Sequence, residues 1–320
     1  MTTTADDLFE DAEAPPKYGF TPDQAYYKFP PPPGVEVPKG WRGWKRMTNL
    51  VGAFSDQRAL QLWLERQTLL GLLANDGTVF DELAASGVEH LSPDEQRDML
   101  EKFAQAARDA VGADTAARRG TARHTMLETY LTHGRQSGHR RMQMQMESLL
   151  EAMELHELDF IPGWSERKVW HPSGGGTMGT MDARVMCRRT GQVGILDLKT
   201  QARFWTYQEI CGQQYGYDSA PWAWEGPPDD TGHWAVNPGN DLLGVSEDLA
   251  GKRVALLAHM PQAPGPGQLP VQIHEVDLEY GKRVLDTAAV ITELRSRGKS
   301  VSAGRRVGGI RPVSGVARPA

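Results

Sequence analysis

Residues 195–200 read Ile-Leu-Asp-Leu-Lys-Thr, and this stretch limits what the chain can fold into more than any other. Side chains alternate across a strand, so Asp197 and Lys199 share one face while Leu196 and Leu198 take the other. The apolar neighbours Ile195, Leu196 and Leu198 make the strand a largely buried one. A buried carboxylate and ammonium need partners, because unpaired charge in an interior costs several kcal/mol. Fifteen positions upstream, Gly179-Thr180-Met181-Asp182 brings a second acid, and a turn near Gly191 lets the two segments lie as antiparallel neighbours. Asp182 and Asp197 can then converge on one divalent cation. Oxygen donors favour hard cations, Mg²⁺ or Mn²⁺. Lys199, two residues on, is placed to orient a water or offset charge on a phosphate. In outline this is a phosphodiester hydrolysis site.

Other segments frame this pair. Pro15, Pro16, Pro22, Pro30 to Pro33 and Pro38 prevent regular helix, so residues 1–40 are expected to be an extended, disordered, acidic arm. Residues 41–160 read as a helical region. Its helices are Arg58 to Ala74, one opened by Ser92-Pro93-Asp94-Glu95, Thr115 to Leu131, and Gln136 to Leu158. Met142, Met144, Met146 and Met153 suit irregular core packing and exposed helix surface rather than a cofactor box. The pattern changes at Pro162. Lys168 to Trp170, Gly179 to Cys187 and Val193 to Leu198 read as three meandering strands. A helix from about Phe204 to Ala220 follows, then a Pro/Gly/Trp-rich loop to about Leu249. Val254 to His259 and Val271 to Val276 form a second strand pair, and Gly281 to Arg295 a closing helix. Residues 161–297 are thus an α/β core (α+β) with a mixed sheet flanked by helices. Residues 298–320 carry Lys299, Arg305, Arg306, Arg311 and Arg318 without an acid, which predicts a flexible tail able to attract phosphates.

Two further elements strengthen the chemical reading. His124 and Glu128, four apart, share a helix face while Leu127 and Leu131 turn to the core. Gln213 and Tyr217 have the same spacing on the helix after the Asp197 strand, with Gln208, Gln214 and Tyr215 as near alternatives. The ordered set Gly-x-x-x-His-x-x-x-Glu, Gly-Thr-x-Asp, Leu-Asp-Leu-Lys-Thr and Gln-x-x-x-Tyr resembles the RecB-type branch of the PD-(D/E)XK nuclease superfamily. That branch includes the exonucleases associated with CRISPR adaptation and many bacteriophage proteins. Arg46-Met47-Thr48-Asn49-Leu50 followed by Leu62-Trp63 also resembles the lead-in of the phage members. The resemblance implies a restriction-endonuclease-like core and a metal-dependent deoxyribonuclease, an exonuclease working in DNA replication, recombination or processing. It implies metal ligation by His124, Asp182, Asp197 and the Leu198 carbonyl, with Lys199 as the catalytic lysine and Glu128 as a supporting acid. Gln213 and Tyr217 would organise the DNA-facing edge. Glu166, beginning the first strand, is a further candidate contributor to the metal site.

The implied partners are DNA, single- or double-stranded, and replication or recombination proteins. Cys187 and Cys211 are too few for the iron–sulfur cluster of some relatives. Gly174-Gly175-Gly176 lacks a following Gly-Lys-Ser/Thr and suits a hairpin better than a nucleotide triphosphate loop. Trp222, Trp224 and Trp234 could stack on unpaired bases, though anchoring a loop over the core is the simpler role. A net charge of −6 argues against a general coating of nucleic acid, not against a locally basic cleft. No stretch is apolar enough for a membrane span, and the acidic N-terminus is no secretory signal, so the expected location is the cytoplasm. The rival reading is a nuclease-like fold serving as a DNA-binding or assembly module without turnover. Carboxyls of Asp182 and Asp197 too far apart to share one cation would favour it.

Overall fold

A computed structural model describes residues 26–37, 39, 41–54, 57–74, 78–113, 115–134, 140–200, 207–226, 232–237, 254–261 and 270–302. The frame is one mixed nine-stranded sheet flanked by helices. The strands are β1 (Tyr26–Tyr27), β2 (Trp44–Arg46), β3 (Leu158–His171), β4 (Thr177–Cys187), β5 (Val193–Lys199), β6 (Trp222–Glu225), β7 (His233–Val236), β8 (Val254–His259) and β9 (Gln272–Val276). Their main order is β7-β6-β3-β4-β5-β8-β9. As the sequence predicts, β3, β4 and β5 are consecutive antiparallel neighbours, and β5 is a buried central strand. Its other edge is parallel to β8.

The helices are α1 (Met47–Val51), α2 (Gln57–Ala74), α3 (Thr78–Ala85), α4 (Pro93–Ala110), α5 (Thr115–His133), α6 (Arg140–Leu155), α7 (Tyr207–Asp218) and α8 (Leu278–Ser302). Ser92 caps α4 in a reciprocal box, its hydroxyl taking the Glu95 N–H while Glu95 accepts from the Ser92 N–H. Alternation on β5 divides the core into two layers. Ile195 packs on one side with Ile210, Cys211, Tyr217 and Leu285 of α7 and α8. Leu196 and Leu198 pack on the other with Met126, Leu127, Met146 and Leu149 of α5 and α6. Of the methionine series, Met142, Met146 and Met153 are buried and Met144 is exposed.

Several boundaries differ from the sequence reading. The first strand begins ten residues before Lys168, and α6 ends at Leu155 rather than continuing to Leu158. Pro162 and Gly163 lie within β3, where the pairing to β4 shifts register between Phe160 and Ser165. Proline cannot donate to a ladder, so such a break is where a strand tolerates it. A boundary after residue 160 would therefore cut a continuous strand. The loop predicted around the tryptophans is instead the β6–β7 hairpin, with Trp224 opposite Trp234. Its aromatic residues supply the β propensity that the surrounding Gly and Pro obscure. α8 continues past Gly298 to Ser302, so the flexible tail does not begin at 298; residues 303–320 lie outside the described residues.

The proline-rich arm is the largest correction. Residues 1–25 lie outside the described residues, but the stretch from 26 to 37 is part of the fold. It follows an extended path, as its prolines require, yet it is packed. Tyr27, Phe29 and Trp44 are buried with Trp170, Met178, Trp224 and Trp234. The Phe29 ring meets Trp224 edge-on at 5.0 Å, and the Trp44 and Trp234 indoles donate to the carbonyls of Phe29 and Pro30. Aromatic burial of this kind outweighs the chain's local preference for free polyproline conformations.

The glycine triplet forms the turn between β3 and β4, with all three residues at positive φ. A Cβ on Gly176 would lie 2.5 Å from the Trp44 ring, so only glycine allows this approach. At the turn's entry, His171 Nδ1 accepts the Ser173 N–H at 3.1 Å. Burial pushes the His171 imidazole down to about 4, against a smaller opposing pull from Asp286. The unfolded chain, with an ordinary histidine, takes up a proton near pH 6.5, whereas the folded chain resists it until about 4. Stability from this group is therefore full above pH 6.5 and lost as pH falls to about 4, on the order of 2 kcal/mol. Urea unfolding of wild type and His171→Gln between pH 7.5 and 4 is expected to show a shallower acid loss in the variant. Parallel curves would refute the assignment.

Candidate functional site

The site arises where the sheet forks. One edge of β4 is paired along its length with β3. The other edge begins against β2, at Thr177 and Met178, and ends against β5, from Ala183 to Met186. Residues 179–182 lie between these two partners. The strand edge opens there, and Asp182 fills the gap: its Oδ2 accepts the Leu198 N–H at 2.7 Å. The resulting pocket, about 170 Å³, is lined by Asp182, Asp197, Lys199, His124, Gln213 and Tyr217. Tyr27, Arg46, Met47, Thr48 and residues Met178 to Thr180 complete its wall.

Each candidate side chain is delivered by a different element. α5 lies over β3 and points His124 at Asp182, Nδ1 to Oδ2 3.2 Å. On β5, Lys199 Nζ lies 2.6 Å from Asp197 Oδ2, an approach too oblique for a well-formed hydrogen bond, so charge dominates the pair. On α7, Gln213 donates to the Tyr217 hydroxyl at 2.9 Å. The Tyr217 ring lies directly against Gly179, where a Cβ would meet Cε1 at 2.0 Å. That close approach accounts for the glycine of Gly-Thr-x-Asp. Gln208, Gln214 and Tyr215 are not among the lining residues. Glu128 is exposed and outside the pocket wall, though its charge is felt by Glu166 and Lys168.

Glu166 enters the cluster from β3. Ser165 pairs with Ala183 and Arg167 with Met181, which sets Glu166 across from Asp182. Its backbone φ is +49, a left-handed value in the interior of a strand. One donor atom each from His124, Glu166 and Asp182 all lie within 4.8 Å of one another. Among the described residues Asp197 does not join that set; it stays with Lys199.

The electrostatics follow from burial and these pairings. Burial alone raises the Asp182 carboxyl, but His124, Lys199 and the Leu198 N–H outweigh it and hold Asp182 below its usual range. The Asp182 charge pushes His124 up to about 9. Burial raises Asp197, with Lys199 opposing. Lys199 is raised, because Asp197 and Asp182 outweigh the burial that would lower it. Glu166 is pushed up to about 8, first by burial and then by Asp182. Lys168 is lowered, chiefly by burial. Perturbed groups gathered in one cleft are a common mark of a working site.

No family model matches the chain, and no curated protein is significantly similar to it. The chemistry of the site therefore stands on its own geometry. A histidine nitrogen with two carboxylates fits a borderline to hard divalent cation, and Asp182 with Glu166 supplies the negative charge such an ion needs. The sequence reading missed Tyr27 and Thr180, whose hydroxyls are 3.1 Å apart on the wall. The signal for Tyr27 was the aromatic run Tyr26, Tyr27, Phe29 within the proline-rich stretch.

Proposed function

We propose that the chain is a divalent-cation-dependent phosphodiesterase acting on DNA, with His124, Asp182, Asp197, Lys199 and Glu166 at its centre. The observation that carries this reading is the convergence, in one pocket at the fork of the sheet, of His124 and Asp182 with the Asp197–Lys199 pair. DNA as substrate, an exonuclease mode and membership of the RecB-type PD-(D/E)XK branch rest on the motif resemblance. Bound Mg²⁺ or Mn²⁺ would supply an activated water and neutralise phosphate charge. The chain's own contributions are simpler to derive. Lys199 is a charged ammonium fixed by Asp197, placed to offset the charge of a phosphate entering the pocket. Asp182, anchored by the Leu198 N–H, and His124 hold the acidic side of the pocket in place. Gln213 and Tyr217 shape the wall beside Gly179.

One observation favours the rival, a fold that binds DNA without cleaving it. Asp197 lies with Lys199 and outside the three-donor set that contains Asp182. Incubation with linear and circular, single- and double-stranded DNA in Mg²⁺, Mn²⁺ or EDTA separates the two. Cation-dependent loss of linear DNA with circles intact supports the exonuclease; cutting of circles makes it an endonuclease. DNA binding with every substrate intact would overturn the enzymatic reading in favour of the binding module.

A further inference from the structure

Two carboxylates set directly across adjacent strands repel each other, and burial strengthens that repulsion. Glu166 and Asp182 are placed so, and the chain bends Glu166 into a left-handed backbone conformation at this point. Like charge and backbone strain at one position are retained where something binds between the groups. His124 closes the third side, with its donor atom inside the same 4.8 Å set. Asp197, by contrast, is held by Lys199 at 2.6 Å. We infer that the divalent cation of this site is held by His124, Glu166 and Asp182, so that Glu166, not Asp197, is the third protein ligand. Asp197 then belongs to the reacting side of the pocket, where it fixes Lys199 for the phosphate. The inference builds on the reading of the site as a divalent-cation site, and it changes which residue holds the ion.

Mn²⁺ binding, followed by loss of the free-ion paramagnetic resonance signal at pH 8, tests this without relying on cleavage. Glu166→Gln and His124→Gln are expected to weaken Mn²⁺ binding by at least about tenfold, the scale of losing a group that holds a metal in place. Asp197→Asn is expected to leave the affinity within about threefold while DNA cleavage is lost. Glu166→Asp keeps the charge on a shorter stem and is expected to fall between wild type and Glu166→Gln, which guards against a variant that merely misfolds; thermal melting without metal checks the fold of each. Full Mn²⁺ affinity in Glu166→Gln, or an Asp197→Asn loss as large as that of His124→Gln, overturns the assignment. Intact Mn²⁺ binding with no cleavage of any DNA leaves the ligand set standing and removes only the nuclease reading.

Discussion

Lys199→Ala is expected to reduce DNA cleavage by about 10²–10³-fold at saturating Mg²⁺ or Mn²⁺, the typical cost of deleting one group aimed at developing negative charge. Asp197→Ala is expected to match or exceed it, since it removes the acid and leaves the Lys199 ammonium without its 2.6 Å partner. That second change also threatens the fold. Asp197 is buried, and Lys199 is mostly so, with 22% of its side chain exposed. Breaking a buried pair from one side costs about 3–5 kcal/mol, whereas replacing both members with apolar groups of similar size is often neutral. The double variant Asp197→Leu with Lys199→Met is therefore expected to melt near wild type yet remain inactive. Stability and turnover thus separate in one experiment. Near-wild-type cleavage by Lys199→Ala, in a protein of normal melting temperature, would remove Lys199 from the chemistry.

Phe29→Ala is expected to destabilise the protein by about 3–5 kcal/mol, the range for removing a buried phenylalanine. The ring is 2% exposed and meets Trp224 edge-on, Trp234 tilted at 6.2 Å and Tyr27 at 6.3 Å. Losing it also loosens the segment that carries Tyr27 to the pocket wall, so affinity for DNA is expected to fall along with stability. Chemical denaturation gives the first quantity and equilibrium DNA binding the second. A loss under about 1 kcal/mol would mean that residues 26–37 rest on the sheet without contributing to it.

That segment also shows where sequence reading stops. Strands β4 and β5, the helices around His124 and Gln213, and the clustering of Asp182, Asp197, Lys199 and His124 were legible because burial and alternation are local properties of the sequence. Ile195, Leu196 and Leu198 can only be buried, and that fixes the face on which Asp197 and Lys199 sit. The packing of Phe29 was not legible. Prolines report the backbone conformation of a stretch, and the partners that bury it, Trp224 and Trp234, lie about 200 positions away. The same holds for Glu166. Its residue type hints at a ligand, but its place opposite Asp182 depends on how β3 pairs after its register shift near Pro162. The fork itself is non-local as well, since β2 meets β4 only in three dimensions.

The fork also sets a schedule for the growing chain. Lys45 of β2 pairs with Thr177, 132 positions later, and β5 reaches the other half of β4 only after that. At about 5–20 residues per second on a ribosome, the first lip of the pocket waits on the order of ten seconds for its counterpart. His124 is made well before Asp182, and α7 with Gln213 and Tyr217 comes last of all. No nascent fragment shorter than about two thirds of the chain holds the full set of charged groups together. A protein that hydrolyses DNA would in this way stay harmless until its synthesis is nearly complete.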